Sequence, residues 1–306
     1  MRIVYIGCKS MGYECLKYLL ESGKDVVSVY ALHDGLREKA AGFRSFDDIM
    51  EGRNIPYHKV MDINEQSVVN RIKEDMPDMI IQVAWSQIIK DEILKIPPKG
   101  AIGFHASLLP KNRGGSPVNW TIINGEKSWG TTMFYMEPGV DSGDIIAQKR
   151  FDIAPEDTCK TVYDSVTQKN IEMLEEFLPL LEAGAAPRIK QDESKSTWLK
   201  RRKPEDGIID WNKTAQDLYN WVRALTRPYP GAFSYYEGKK LFVWEAKFTD
   251  KQTDIKPGTI ISANDSGIEV ATADGVIMLT DIELEGNDII NPSHMVKAGK
   301  SLGGLG

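Results

Sequence analysis

The first 125 residues alternate short apolar runs with segments of helical period, and few folds accommodate that alternation. Residues 3–7 (IVYIG), 26–32 (VVSVYAL), 79–84 (MIIQVA) and 101–105 (AIGFH) are near-continuous apolar runs, the pattern of strands covered on both faces. Between them, residues 13–20 place Cys15, Leu16, Leu19 and Leu20 at helical spacing, residues 46–51 and 66–75 read as helices, and 56–60 as an extended segment. Residues 88–96 read as a short helix stopped by Pro97 and Pro98, and 118–124 as the next helix. Strand, helix and strand in this order predict βαβ units: an α/β, Rossmann-like, doubly wound and mainly parallel sheet with helices on both faces. Such sheets bind ligands outside the carboxyl ends of their strands, which directs attention to the loops after Ala84 and Phe104.

The second half changes character. A helix over 158–181 is followed at 184–203 by a stretch rich in Ala, Pro, Lys, Asp and Ser without apolar period. Beyond one amphipathic helix at 215–225, strand candidates at 233–248, 258–262, 268–272 and 276–283 are separated by turn signals such as Glu237-Gly238, Asn264-Asp265 and Asp274-Gly275. The expected division is a domain over 1–188, a linker over 189–203 and a smaller, β-rich, barrel-like (OB-like) domain over 204–306. A chain of 306 residues is long enough for two such units. With 42% hydrophobic and 27% charged residues it is neither disordered nor collagen-like. No apolar run reaches the ~18 residues that span a bilayer, and the opening MRIVYIGCKSMGYE reads as a first strand, not a signal peptide; no membrane partner is expected. Three cysteines (Cys8, Cys15, Cys159) make no disulfide framework and point to a reduced, cytoplasmic chain.

Gly7 and Gly12 lack the GxGxxG spacing and no Gly-Lys-Ser/Thr follows, so neither a dinucleotide site nor a P-loop is expected; the glycines read as a turn that needs small residues. His33, His58, His105 and His294 form no metal-binding cluster, and no metal is expected. One stretch stands apart, residues 100–144: GAIGFHASLLPKNRGGSPVNWTIINGEKSWGTTMFYMEPGVDSGD. His105 directly follows an apolar strand, where doubly wound sheets place their chemistry. The loop after it is glycine-rich (Arg113-Gly114-Gly115-Ser116-Pro117), and a second turn brings Asp141 and Asp144. A carboxylate beside an imidazole favours the protonated ring and fixes its orientation, as acid–base catalysis needs. Taken alone, Asp141 is equally a turn residue bonded to its own backbone.

Together these motifs resemble the folate-dependent formyltransferase family, whose members act on methionyl-tRNA, glycinamide ribonucleotide or sugar nucleotides. The resemblance lies in HASLLP at 105–110, RGGSP at 113–117 and GVDSGD at 139–144. It extends through RRKPED at 201–206, IDW at 209–211 and RPYPGAF at 227–233, so that it covers essentially the whole chain. It implies the formyltransferase fold and 10-formyltetrahydrofolate as co-substrate, without a metal. It also implies that His105 handles the proton of an attacking amine, and that Asp141 keeps that ring charged. The folate contacts fall on Gln87, Ile88 and Ile89, on Leu109, and on Glu137, Pro138, Gly139, Val140 and Asp141. Ser107, Arg113, Arg201 and Arg202 fall where acceptor contacts are expected; two arginines match the oxygens of a diphosphate. The family asparagine that steadies the oxyanion falls on Gly103, a departure. Loss of one oxyanion donor costs about 10²–10³ in rate. Three readings stay open: another donor (Asn119, Gln87, Ser107 or a backbone N–H) substitutes, His105 does both jobs, or the chain binds folate with little turnover.

For the acceptor, residues 34–44 are charge-balanced, and residues 200–306 hold 14 basic against 15 acidic side chains, a poor footprint for tRNA. The favoured expectation is therefore a UDP- or dTDP-linked amino sugar, with methionyl-tRNA and a folate-binding module as alternatives. A second copy of the chain is a candidate partner of the C-terminal domain. Gly103→Asn is expected to leave the rate equal or raise it, read as kcat; a large loss shows that glycine itself is needed.

Overall fold

In a computed structural model, which describes residues 1–286 and 292–303, the chain forms two units by internal contacts. One comprises 1–117, 128–152 and 163–200; the other comprises 118–127, 153–162 and 201–306. The first is built on β1 (Ile3–Gly7), β2 (Val26–Leu32), β3 (Tyr57–Val60), β4 (Met79–Val83) and β5 (Ala101–His105), all paired in parallel. The strands are interleaved with α1 (Ser10–Glu21), α2 (Asp47–Met50), α3 (Gln66–Glu74) and α4 (Asp91–Leu94), so the βαβ expectation describes this half. Two of the expected helices are shorter than their apolar pattern: α2 and α4 have four residues each.

The apolar runs are continuous because helices cover both faces of the sheet. β1 is buried throughout, α1 buries Met11, Cys15, Leu16 and Leu19, and α3 buries Val68, Val69 and Ile72. A fully buried side chain of this kind contributes roughly 1.5–3 kcal/mol. Two polar groups buried on β2 are paired: Ser28 and Tyr30 donate to the Asp75 carboxylate at 2.6 and 2.7 Å. Gly7 and Gly12 are explained by contact: a Cβ at either would stand 2.9 or 2.8 Å from the Val83 carbonyl. They let α1 lie close against the sheet.

Two strands of this sheet have no counterpart in the reading of the sequence. After β6 (Arg113–Gly114) and α5 (Pro117–Ile123), β7 (Ser128–Tyr135) and β8 (Ile145–Asp152) extend the sheet antiparallel to β5 and to each other. The full order is β3-β2-β1-β4-β5-β7-β8. α6 (Cys159–Ala183) follows, and the short β9 (Trp198–Leu199) pairs in parallel with β6.

In the second unit α7 (Ala215–Leu225) begins at Thr214, whose hydroxyl accepts the Asp217 N–H at 3.1 Å. Then β10 (Ala232–Tyr236), β11 (Lys239–Phe248), β12 (Ile260–Asn264), β13 (Gly267–Ala271) and β14 (Val276–Leu284) form one antiparallel sheet in the order β10-β11-β14-β13-β12. Bridges from Gly303 to Tyr235 and from Ser301 to Thr259 join the two ends of that order, which gives the unit its barrel-like form.

Gly12→Ala drives a methyl against the Val83 carbonyl and is expected to cost about 1–3 kcal/mol. Thermal unfolding checks this: an unchanged Tm shows that α1 does not need so close an approach.

Candidate active site

His105 is the last residue of β5, with 7% of its surface exposed. Both ring nitrogens face acceptors: Nε2 lies 2.7 Å from the Asn112 carbonyl and Nδ1 lies 3.4 Å from Asp141 Oδ2. The same Asp141 oxygen accepts the Gly114 N–H at 2.9 Å, so one carboxylate joins the imidazole to the glycine-rich loop. Asp141 sits at φ +53, in the left-handed region, and neighbouring Gly143 has no room for a Cβ, which would overlap the Tyr135 carbonyl. The turn is therefore shaped by close backbone approach, and its curvature aims the carboxylate at the ring.

β7 holds the loop that follows His105. Trp129 Nε1 donates to the Ala106 carbonyl at 2.6 Å, and Thr132 Oγ1 donates to the Ser107 carbonyl at 2.7 Å while accepting the Leu109 N–H at 3.1 Å. The Thr131 hydroxyl lies 3.1 Å from the His105 carbonyl and 2.8 Å from Asn170 Oδ1 on α6, a fully buried amide. Gln148 on β8 donates to the Leu109 carbonyl at 2.8 Å. The backbone on both sides of the imidazole is thus clamped by two strands whose alternation alone did not announce them.

Gly103 pairs with Gln82 of β4, and a Cβ there would meet Gln82 Oε1 and Met136 Cγ, each at 3.1 Å. An asparagine at 103 must displace both side chains, so the place is less open than the sequence suggested. Both ends of the Gln87 carboxamide are engaged: its Oε1 accepts the Ile63 N–H at 3.0 Å and its Nε2 donates to the Met61 carbonyl at 2.7 Å. Ile88 beside it is 76% exposed, Ile89 is buried, and Leu109 is buried against Phe134 and Ile145. On the other turn Glu137, Pro138 and Gly139 are exposed and Val140 is 45% exposed.

The remaining candidates hold structural partners. Ser107 donates to the Lys111 carbonyl at 2.8 Å. Arg113 is buried, and its guanidinium meets both Glu193 carboxylate oxygens at 2.7 and 2.9 Å and Gln191 Oε1 at 2.7 Å. The guanidinium holds the Glu193 carboxyl below its ordinary range. Arg113, expected to meet the acceptor, is buried and supports the loop it begins. Arg201 and Arg202 belong to the second unit; Arg201 is exposed, whereas Arg202 lies over the rings of Trp120 and Trp221 and donates to the Asp206 carbonyl. The structure does not bring these two arginines together with His105 in one unit.

Gln191 was missed. Its Nε2 donates to the carbonyls of Asp141 and Gly143 at 2.8 and 2.7 Å, while its Oε1 accepts from Arg113. Residues 189–203 offered no apolar period, the signal used to find elements, yet 191–199 carry this brace and β9. The cysteines are buried, and burial pushes their thiols up, Cys159 to about 12, so none is a thiolate nucleophile near neutral pH. Among the described residues no cluster suits a metal ion, and no helix is long and apolar enough to cross a membrane.

Comparison with known proteins decides the family. A formyl transferase domain model matches residues 1–178 and a formyl transferase C-terminal domain model matches 201–299. The chain belongs to the formyltransferase family. A methionyl-tRNA formyltransferase of Geotalea uraniireducens is 37% identical over 290 residues, 94% of this chain and 91% of the relative. Among solved structures, HypX from Aquifex aeolicus in complex with tetrahydrofolic acid superposes with TM-score 0.68 at 23% identity, over 96% of this chain but 46% of HypX. WlaRD, a sugar 3N-formyl transferase seen with dTDP and 5-N-formyl-THF, gives 0.67 at 17% identity, over 94% and 98% of the two chains. At those identities the structures share the fold.

In this formyltransferase the Gln191 brace yields a prediction. Gln191→Ala leaves two carbonyls of the Asp141 turn unpaired, at about 1–3 kcal/mol. Turnover should fall about tenfold or more as Asp141 loses its aim, since small misplacements cost up to about 10²-fold. Steady-state kinetics at saturating folate check this; a wild-type kcat shows that the turn holds itself.

Proposed function

We propose that this formyltransferase moves a formyl group from 10-formyltetrahydrofolate to a primary amine, and that the observation carrying this reading is the His105–Asp141 pair, 3.4 Å apart at the end of β5. The co-substrate supplies the formyl carbon. The residues present fit it: Ile88 and Val140 expose apolar surface on two loops, which suits the flat face of a pteridine. Gln87, Ile88, Ile89, Leu109 and 137–141 would hold it.

The proton balance runs through one side chain. As the amine nitrogen bonds to the formyl carbon and the carbon–nitrogen bond to the folate breaks, one proton leaves the amine and one reaches the departing nitrogen. His105 Nε2 is the atom suited to both transfers, with the amine taking the place of the Asn112 carbonyl. Asp141 holds the ring by Nδ1 and balances its charge while the proton is in transit.

For the acceptor, the 37% identity to a methionyl-tRNA formyltransferase over 94% of the chain supports methionyl-tRNA above the amino-sugar nucleotide that the sequence alone favoured. The sugar-nucleotide reading keeps one specific observation: residues 200–306 carry 14 basic and 15 acidic side chains, a weak attraction for a polyanion. Incubation of the protein and 10-formyltetrahydrofolate with methionyl-tRNA, with UDP- and dTDP-amino sugars, or with buffer alone separates these readings. The expected result is turnover with one amine class; formate release without acceptor, or none with any, overturns the transfer reading. His105→Ala and Asp141→Asn should each lower kcat by about 10²–10⁴-fold. Near-wild-type rates in both remove the site.

A further inference from the structure

Acyl transfer to an amine builds negative charge on the formyl oxygen, and sites for such chemistry aim a hydrogen-bond donor at that oxygen. The side-chain amides and hydroxyl that could take this role already donate elsewhere. Gln87 Nε2 is on the Met61 carbonyl, Ser107 Oγ on the Lys111 carbonyl, Gln148 Nε2 on Leu109 and Thr132, and Asn119 Nδ2 on the Ala224 carbonyl within the second unit. Gln82 is different. Among the described residues its carboxamide takes no hydrogen bond, and it is half-buried on an otherwise buried strand.

Register puts that carboxamide beside the imidazole. Gln82 of β4 is paired in parallel with Gly103 of β5, so both project to one face, and His105, two residues on, projects to the same face. Residues two apart on a strand are about 7 Å apart, which leaves room for a reacting carbon between amide and ring. Gly103 has no side chain, and the Gln82 amide leans into the space: Oε1 stands 3.1 Å from where a Cβ would be. A half-turn about the last side-chain bond exchanges that oxygen for the N–H₂ group.

On the formyl-transfer reading above, we infer that Gln82 is a further catalytic residue, whose side-chain N–H steadies the formyl oxygen as charge develops on it. Gly103 is the complementary feature, the gap through which an amide from the neighbouring strand reaches the reaction. Gln82 takes no proton; its contribution is electrostatic and greatest in the transition state, so it should govern kcat rather than KM.

Three variants and one binding measurement test this. Gln82→Met keeps the volume without the N–H and is expected to lower kcat about 10²–10³-fold, with KM changed less than about threefold and Tm kept. Gln82→Ala should lose as much, and Gln82→Ala/Gly103→Asn, which returns a carboxamide to the same face from the other strand, should recover at least about tenfold. Without acceptor, the ¹⁵N–¹H signals of the Gln82 side chain, identified by their absence in Gln82→Met, should move when 10-formyl-5,8-dideazafolate binds. A wild type that turns over while Gln82→Met keeps its kcat, or side-chain signals that stay still on binding, overturns the role of Gln82 and leaves the transfer reading standing. A wild type without turnover on any amine overturns both.

Discussion

One carboxylate oxygen organises the first unit. Asp141 Oδ2 faces His105 Nδ1 at 3.4 Å and accepts the Gly114 N–H at 2.9 Å, tying together the end of β5, the glycine-rich loop and the turn after β7. None of these segments is held to the others by regular pairing at that point, so a single acceptor does what a sheet ladder does elsewhere. A half-buried carboxylate with a charge-assisted partner and a backbone N–H keeps its place better than a solvated one.

That tie depends on supports behind it. Gln191 reads the carbonyls of Asp141 and Gly143, Arg113 holds Gln191, and Glu193 neutralises Arg113, a chain of contacts in which each polar group satisfies the next. On the other side, Trp129, Thr131 and Thr132 of β7 clamp the backbone from 105 to 109. The imidazole is thus set on a strand end whose neighbours, more than its own rotamer, decide where it points. Rigid placement of that sort suits a reaction in which one side chain both receives and returns a proton.

Much of the framework was legible in the sequence. Parallel strands buried on two faces must be apolar throughout, so β1, β2, β4 and β5 stand out, and His105 stands out as the polar end of one of them. Asp141 was legible through its motif, although not its left-handed backbone or its hydrogen bond to Gly114. β7 and β8 were not legible because they lie inside the motif-bearing stretch and lack a clean alternation, β7 being buried along nearly its whole length. Arg113 stood out as part of the RGGSP motif, whereas its burial against Glu193 is a property of the folded chain that the motif does not display. Charge weighed heavily in the choice of acceptor, and net charge reports only the average field of a surface.

The sequence by itself determined the α/β class and the strand end where the chemistry is sought, and through the resemblance it named the proposed acid–base pair, because period, apolarity and motif spacing are local properties of the chain. Only the tertiary structure decided how that pair is held and which amide stands beside it. Gln82 and Gly103 are 21 positions apart in sequence; Gly103 stood out only as a departure from the motif, and nothing in the sequence linked Gln82 to it. Their meaning comes from the parallel register of β4 on β5, which sets an unpaired carboxamide over a missing side chain on the face that bears His105. Register is a property of two strands at once, and a single run of residues does not contain it.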